Sequence, residues 1–115
     1  MSDSPRYRAD GLREFCARAL QHAGASPRDA DVVADGLVTA DLRGVHTHGV
    51  LRVGIYVERL RAGSINPQAE LEIVRDSGAV VVADAQAGAG IAMAARAMPA
   101  WRNKRASRND CCCAR

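Results

Sequence analysis

Gly44-Val45-His46-Thr47-His48-Gly49-Val50-Leu51-Arg52 is the stretch on which the reading of this chain turns. It holds two of the three histidines, a hydroxyl between them and an arginine four residues past His48. Together they supply an imidazole that titrates near neutral pH, a hydroxyl and a fixed cation. Such a set suits a small anionic molecule: His48 exchanges a proton, Thr47 hydrogen-bonds it or the substrate, and Arg52 grips a carboxylate through its planar fork. The plainer alternative is a helix N-cap at Thr47 beside a surface His and Arg, and residue types alone favour it. A metal site is not expected, because residues 1–100 offer no second ligand cluster to complete four ligands around His46 and His48. His46 and the isolated His22 are read as surface residues.

Working outward, Gly44 closes one helical segment and the stretch opens another. Upstream, Ser26-Pro27-Arg28-Asp29 reads as a helix start: serine caps, proline suits the first position, and Asp29 favours the positive end. A helix is expected from Pro27, with Ala30, Val33, Leu37 and Ala40 on its apolar side. An earlier amphipathic helix, from about residue 9 to residue 23, carries Leu12, Phe15, Cys16, Ala19 and Leu20, with Gly24 as its stop and Asp10 or its predecessor as a weak cap. Downstream, Val50, Val53, Tyr56, Val57 and Leu60 recur at helical spacing and Gly63 ends the run. A helix beginning near His48 would align His48, Arg52 and Tyr56 as i, i+4 neighbours on one ridge.

After Pro67 the period changes. Leu71, Ile73 and Val74, then Asp76-Ser77-Gly78, then residues 79–83 read as two strands around a tight turn. Gly88-Ala89-Gly90 opens an alanine-rich helix to about Met98. It is not read as a dinucleotide loop, since Met93 occupies the place of the usual third glycine, and close packing of the helix is preferred.

At 115 residues, with 48% hydrophobic and 25% charged residues, the chain fits one globular domain and is short for a two-domain enzyme. No apolar run reaches the roughly 18 to 20 residues that span a bilayer, and the polar Met1–Pro5 segment has no signal-peptide core, so a cytoplasmic protein without membrane contact is expected. The net charge of +3 would suggest nucleic acid, but residues 1–100 carry eleven arginines against twelve carboxylates. The excess lies in residues 101–115, where Arg102, Lys104, Arg105, Arg108 and Arg115 face only Asp110. Cysteine follows the same division. Cys16 is expected as a small buried hydrophobe, whereas Cys111, Cys112 and Cys113 match no zinc spacing.

Read together, ADLRGVHTHGVLRVGIYVERLRAGSINPQA (residues 40–69) and DAQAGAGIAMAARAM (residues 84–98) resemble the malate/L-lactate dehydrogenase family, which is distinct from the Rossmann enzymes. That family includes sulfolactate and ureidoglycolate dehydrogenases and a piperideine-2-carboxylate reductase. The likeness runs from about residue 9 to residue 98 and is most specific from Asp41 to Pro67. Members typically show a Ser-His-Gly motif followed closely by an Arg, or a close variant, here; Thr47 keeps the hydroxyl in place of serine, and Arg52 follows His48 by four residues. The resemblance implies reversible hydride transfer between NAD or NADP and a 2-hydroxy, 2-oxo or imino acid. It implies His48 as proton donor, oriented by Thr47 and by a later carboxylate, and Arg52 as a ligand of a small carboxylate substrate. It also implies a homodimer for the full-length family member.

The resemblance sets the expected architecture: an α+β chain with a three-helix region over residues 1–67, then the first strands and a helix of an incomplete non-Rossmann NAD(P)-binding domain over residues 68–100. Residues 101–115 depart from it as a basic, Cys-rich tail. One permitted set of codons for residues 101–114, read from its second base, encodes a passage like the family's, so a frameshifted tail is expected, leaving a fragment inactive alone. The alternative is a small non-catalytic helical binding module whose basic tail meets an anionic partner.

Overall fold

The computed structural model describes residues 5–99 and 102. Along them run α1 (Ala9–His22), α2 (Pro27–Leu42), two short 3-10 turns (His46–His48 and Val50–Arg52), α3 (Val53–Arg61), β1 (Glu72–Asp76), β2 (Val81–Asp84) and α4 (residues 90–99). The fold is α+β, as the sequence implies. Of the tail expected over residues 101–115, all but residue 102 lies outside the described residues.

The helix boundaries follow local chemistry. Ser26 Oγ accepts the Asp29 amide at 3.2 Å and Pro27 occupies the first turn of α2, the capping read from sequence. At α1 no side chain caps the start, and Asp10 instead pairs with Arg13 one turn on at 3.3 Å. Helices α1, α2 and α3 all end in the same way, with Gly24, Gly44 and Gly63 at positive φ. Beyond each glycine an amide folds back five residues: Ala25 to Leu20, Val45 to Ala40 and Ser64 to Arg59. That closure satisfies helix-end carbonyls and needs a residue at ease in the left-handed region.

The core lies between α1 and α2 and is closed by α3 and α4. Cys16 and Leu20 of α1 meet Ala30, Val33, Ala34 and Leu37 of α2, with Val53, Ala69, Ala92 and Met93 joining from later elements. Cys16 is fully buried, as expected of a small hydrophobe. Small side chains bring the helices close. At Gly36 an added Cβ would stand 3.1 Å from Ile91, and at Gly88 it would meet Ala69 and Met93 at 2.8 and 2.9 Å. The glycine before α4 thus serves the close packing preferred for it.

The two strands pair antiparallel, Glu72 with Asp84 and Asp76 with Val81, with an irregularity between Ile73 and Arg75 that leaves Val74 as the extra residue. All five residues of β1 are exposed. The hairpin is rooted at its base, where the Asn66 amide donates to the Ala87 carbonyl at 2.9 Å. A buried ion pair locks α4 to α2: Arg96 Nη2 donates to Asp29 Oδ1 at 2.7 Å, and Arg96 Nη1 donates to the Ala69 carbonyl at 2.8 Å.

One expectation fails here. The third helix does not begin near His48. Gly49 is extended, with φ −90° and ψ −154°, and separates the two 3-10 turns, so α3 starts at Val53. His48, Arg52 and Tyr56 therefore share no continuous ridge. The apolar residues Val50, Val53, Tyr56, Val57 and Leu60 do pack on the core, but the backbone breaks at Gly49, where the Asp41 carboxylate fills the space that a Cβ would occupy.

Candidate active site

The closing turn after α2 swings the chain through Val45 into the histidine turn, where the His48 amide donates to the Val45 carbonyl at 3.0 Å. Within that turn Thr47 Oγ lies 3.0 Å from Nδ1 of His48. Arg52, in the next turn, donates from Nε to the Thr47 carbonyl at 2.8 Å. Thr47 is therefore the hub, bonded to the imidazole through its side chain and to the guanidinium through its backbone. All three side chains are exposed. Neither Nε2 of His48 nor the terminal nitrogens of Arg52 make a hydrogen bond among the described residues, so both present free polar groups to solvent.

The three site residues proposed from sequence are thus brought together, though by a route that spacing alone did not show. Tyr56 is not part of the group. It is half-buried against the core and lines a cavity of about 20 Å³ with Leu20, Ala25 and Leu60, room for about one water. His22 is exposed, as read.

Sequence reasoning missed Asp41. Its Oδ2 accepts the Val50 amide at 2.8 Å and its Oδ1 accepts Nδ1 of His46 at 3.0 Å. The Val50 amide, and after it the His46 hydrogen bond, hold the Asp41 carboxyl below the usual carboxylate range. His46 is exposed, as expected of a surface residue, yet it is tethered rather than idle. One signal was available: a carboxylate in the last turn of a helix opposes the macrodipole, and α2 carries no basic residue there to offset it. Such a carboxylate needs donors from elsewhere.

The sequence pattern of the malate/L-lactate dehydrogenase family matches residues 7–114, nearly the whole chain. The chain belongs to the malate/L-lactate dehydrogenase family. It is 37% identical over 93 residues to the malate dehydrogenase of Pyrococcus horikoshii, covering 81% of this chain and 26% of that protein. The solved structure of the Pyrococcus horikoshii enzyme superposes with a TM-score of 0.85 at 34% identity, over 90% of this chain and 30% of that one. The ureidoglycolate dehydrogenase (NAD(+)) of Escherichia coli is 39% identical over 79 residues, 67% of this chain and 23% of that protein. The chain thus spans about a quarter of the length of the curated relatives it matches.

The glycine turn before α4 is packed against Ala69 and Met93, and the cavity beneath Tyr56 admits about one water. What the chain does carry is an imidazole and a guanidinium joined through Thr47 on one short loop.

Proposed function

We propose that this chain carries the proton-donating and carboxylate-binding half of a dehydrogenase acting on a small 2-hydroxy, 2-oxo or imino acid. The observation that supports it is the Thr47-centred link between His48 and Arg52, in a chain of the malate/L-lactate dehydrogenase family. Reducing a C=O or C=N bond needs a proton at the heteroatom as well as a hydride at carbon. His48 holds that proton on Nε2, with Thr47 Oγ fixing the ring from the opposite nitrogen. In the oxidative direction the same nitrogen takes the proton back. Arg52, oriented by the Thr47 carbonyl through Nε, turns its terminal nitrogens to the substrate carboxylate.

The hydride side belongs to NAD or NADP, whose binding residues this reading assigns to the remainder of a full-length family chain. On this reading the 115-residue chain is inactive alone, and the full-length form is a cytoplasmic homodimer that needs neither nucleic acid nor a membrane.

Two titrations of the chain test the reading. NADH and NADPH fluorescence, with and without pyruvate, is expected to show no saturable binding; saturation would overturn the assignment of the cofactor to the remainder. Pyruvate is expected to shift the His48 and Arg52 side-chain resonances weakly, and Arg52→Gln is expected to abolish the shifts. If pyruvate moves neither residue, Arg52 is not a carboxylate ligand.

A further inference from the structure

Asp41 stands in the last turn of α2, where the helix's free carbonyls already carry partial negative charge. Its side chain is not needed to finish that helix. The amides of Gly44 and Val45 fold back onto Asp41 and Ala40 and complete the end without it. The carboxylate reaches forward instead, to His46 with one oxygen and to Val50 with the other. These two donors belong to consecutive 3-10 turns, each a single turn of a helix type with poor hydrogen-bond geometry and little persistence of its own. Gly49 lies between them, and its missing side chain is what lets the carboxylate enter, since a Cβ there would collide with all three carboxylate atoms.

We propose that Asp41 is the positioning residue of the candidate site, its carboxylate bracketing the two turns so that His48 and Arg52 are held on either side of Thr47. One arm fixes the turn that carries Thr47 and His48. The other fixes the first amide of the turn that ends in Arg52. The two site residues then keep one relative placement even though both side chains are exposed and neither is packed in the core. That the placement serves proton transfer and carboxylate binding rests on the proposed function, whereas the bracket itself is a property of the loop.

The test uses the 115-residue chain and nuclear magnetic resonance, comparing wild type with Asp41→Asn and Asp41→Ala. Three quantities are read: hydrogen exchange of the Val50 amide, the tautomer of His46 from its ring nitrogen shifts, and the contacts of Thr47 with His48 and Arg52. In wild type His46 is expected to carry its proton on Nδ1. In Asp41→Ala the Val50 amide is expected to exchange at least about tenfold faster, as loss of a charge-assisted hydrogen bond implies. His46 should revert to mixed tautomers and the Thr47 contacts should average, while α1 amides keep their protection. Asp41→Asn retains an oxygen for Val50 and should restore much of its protection. An unchanged Val50 rate and His46 tautomer in Asp41→Ala would overturn the proposal. Should Asp41→Ala also lose α1 protection, Asp41→Asn decides: a changed His46 tautomer supports the bracket and an unchanged one sinks it. No substrate or cofactor enters these measurements, so they can fail independently of the dehydrogenase reading.

Discussion

Gly49 and Asp41 occupy one small volume between α2 and the second 3-10 turn, and each constrains what the other can be. The φ of −90° at Gly49 is open to any residue, so the requirement for glycine there is steric. Gly49→Ala is expected to expel the Asp41 carboxylate, break its bond to the Val50 amide and lower stability by about 2 kcal/mol, read from urea denaturation. An unchanged midpoint would mean that the loop accommodates the methyl group. The Asp41 carboxyl also carries a pH signature. Its pKa is lowered from an ordinary 3.8, first by the Val50 amide and then by His46. Its contribution is therefore present above pH 3.8 and lost as pH falls through the lower folded value. Among the described residues two other titratable groups interact with it: His46 from the loop, and Cys16 from α1, whose thiol is raised by burial and secondarily by the Asp41 charge. Between about pH 6 and about pH 3, wild type should lose more stability than Asp41→Asn does. Equal losses would remove Asp41 from the acid response.

At the scale of elements, the turn between β2 and α4 carries strain that the rest of the chain holds in place. Gln86 and Ala87 both have positive φ, 49° and 59°, in a region that costs a residue with a Cβ roughly 1 kcal/mol or more. The turn persists because Asn66 donates from its amide to Ala87 and from its side chain to Gln86, and because the Gln86 side chain accepts the Glu70 amide. Ala87→Gly is expected to raise stability by about 1 kcal/mol in the same denaturation experiment; a destabilised variant would show the strain is relieved elsewhere. Much at this scale was legible in the sequence. Serine, proline and glycine at the ends of α2 each impose a local geometry, and apolar spacing identified α1, α2 and the hairpin. The start of α3 was not legible, because periodicity records which side chains face the core and is blind to a backbone break at Gly49.

For the molecule as a whole, the contact between Asp29 and Arg96 links residues 67 positions apart and joins α2, α4 and the segment before β1. Both side chains are largely buried, at 12% and 16% exposure, and Nε of Arg96 is buried without a partner among the described residues. Arg96→Met should leave the Asp29 charge unpaired and cost about 3 kcal/mol, a large share of the 5–15 kcal/mol typical of a domain. The double change Asp29→Leu with Arg96→Met should recover much of that loss, since it removes both charges from the interior. If the double variant is no more stable than the single one, the cost lies in packing. The hairpin shows the opposite condition, with Ile73, Val74, Val80 and Val82 all substantially exposed on a two-stranded sheet. The sequence by itself determined the α+β order of elements and the family, and singled out Thr47, His48 and Arg52 as candidates, because capping, periodicity and motif spacing are local properties of a chain. Only the tertiary structure decided that Thr47 joins the other two, that Asp41 reaches nine residues on to bracket their loop, and that Tyr56 turns into the core. Those outcomes depend on where the ends of helices deliver the chain in space, and a carboxylate, an amide and a missing Cβ must meet there before any of them acquires a role.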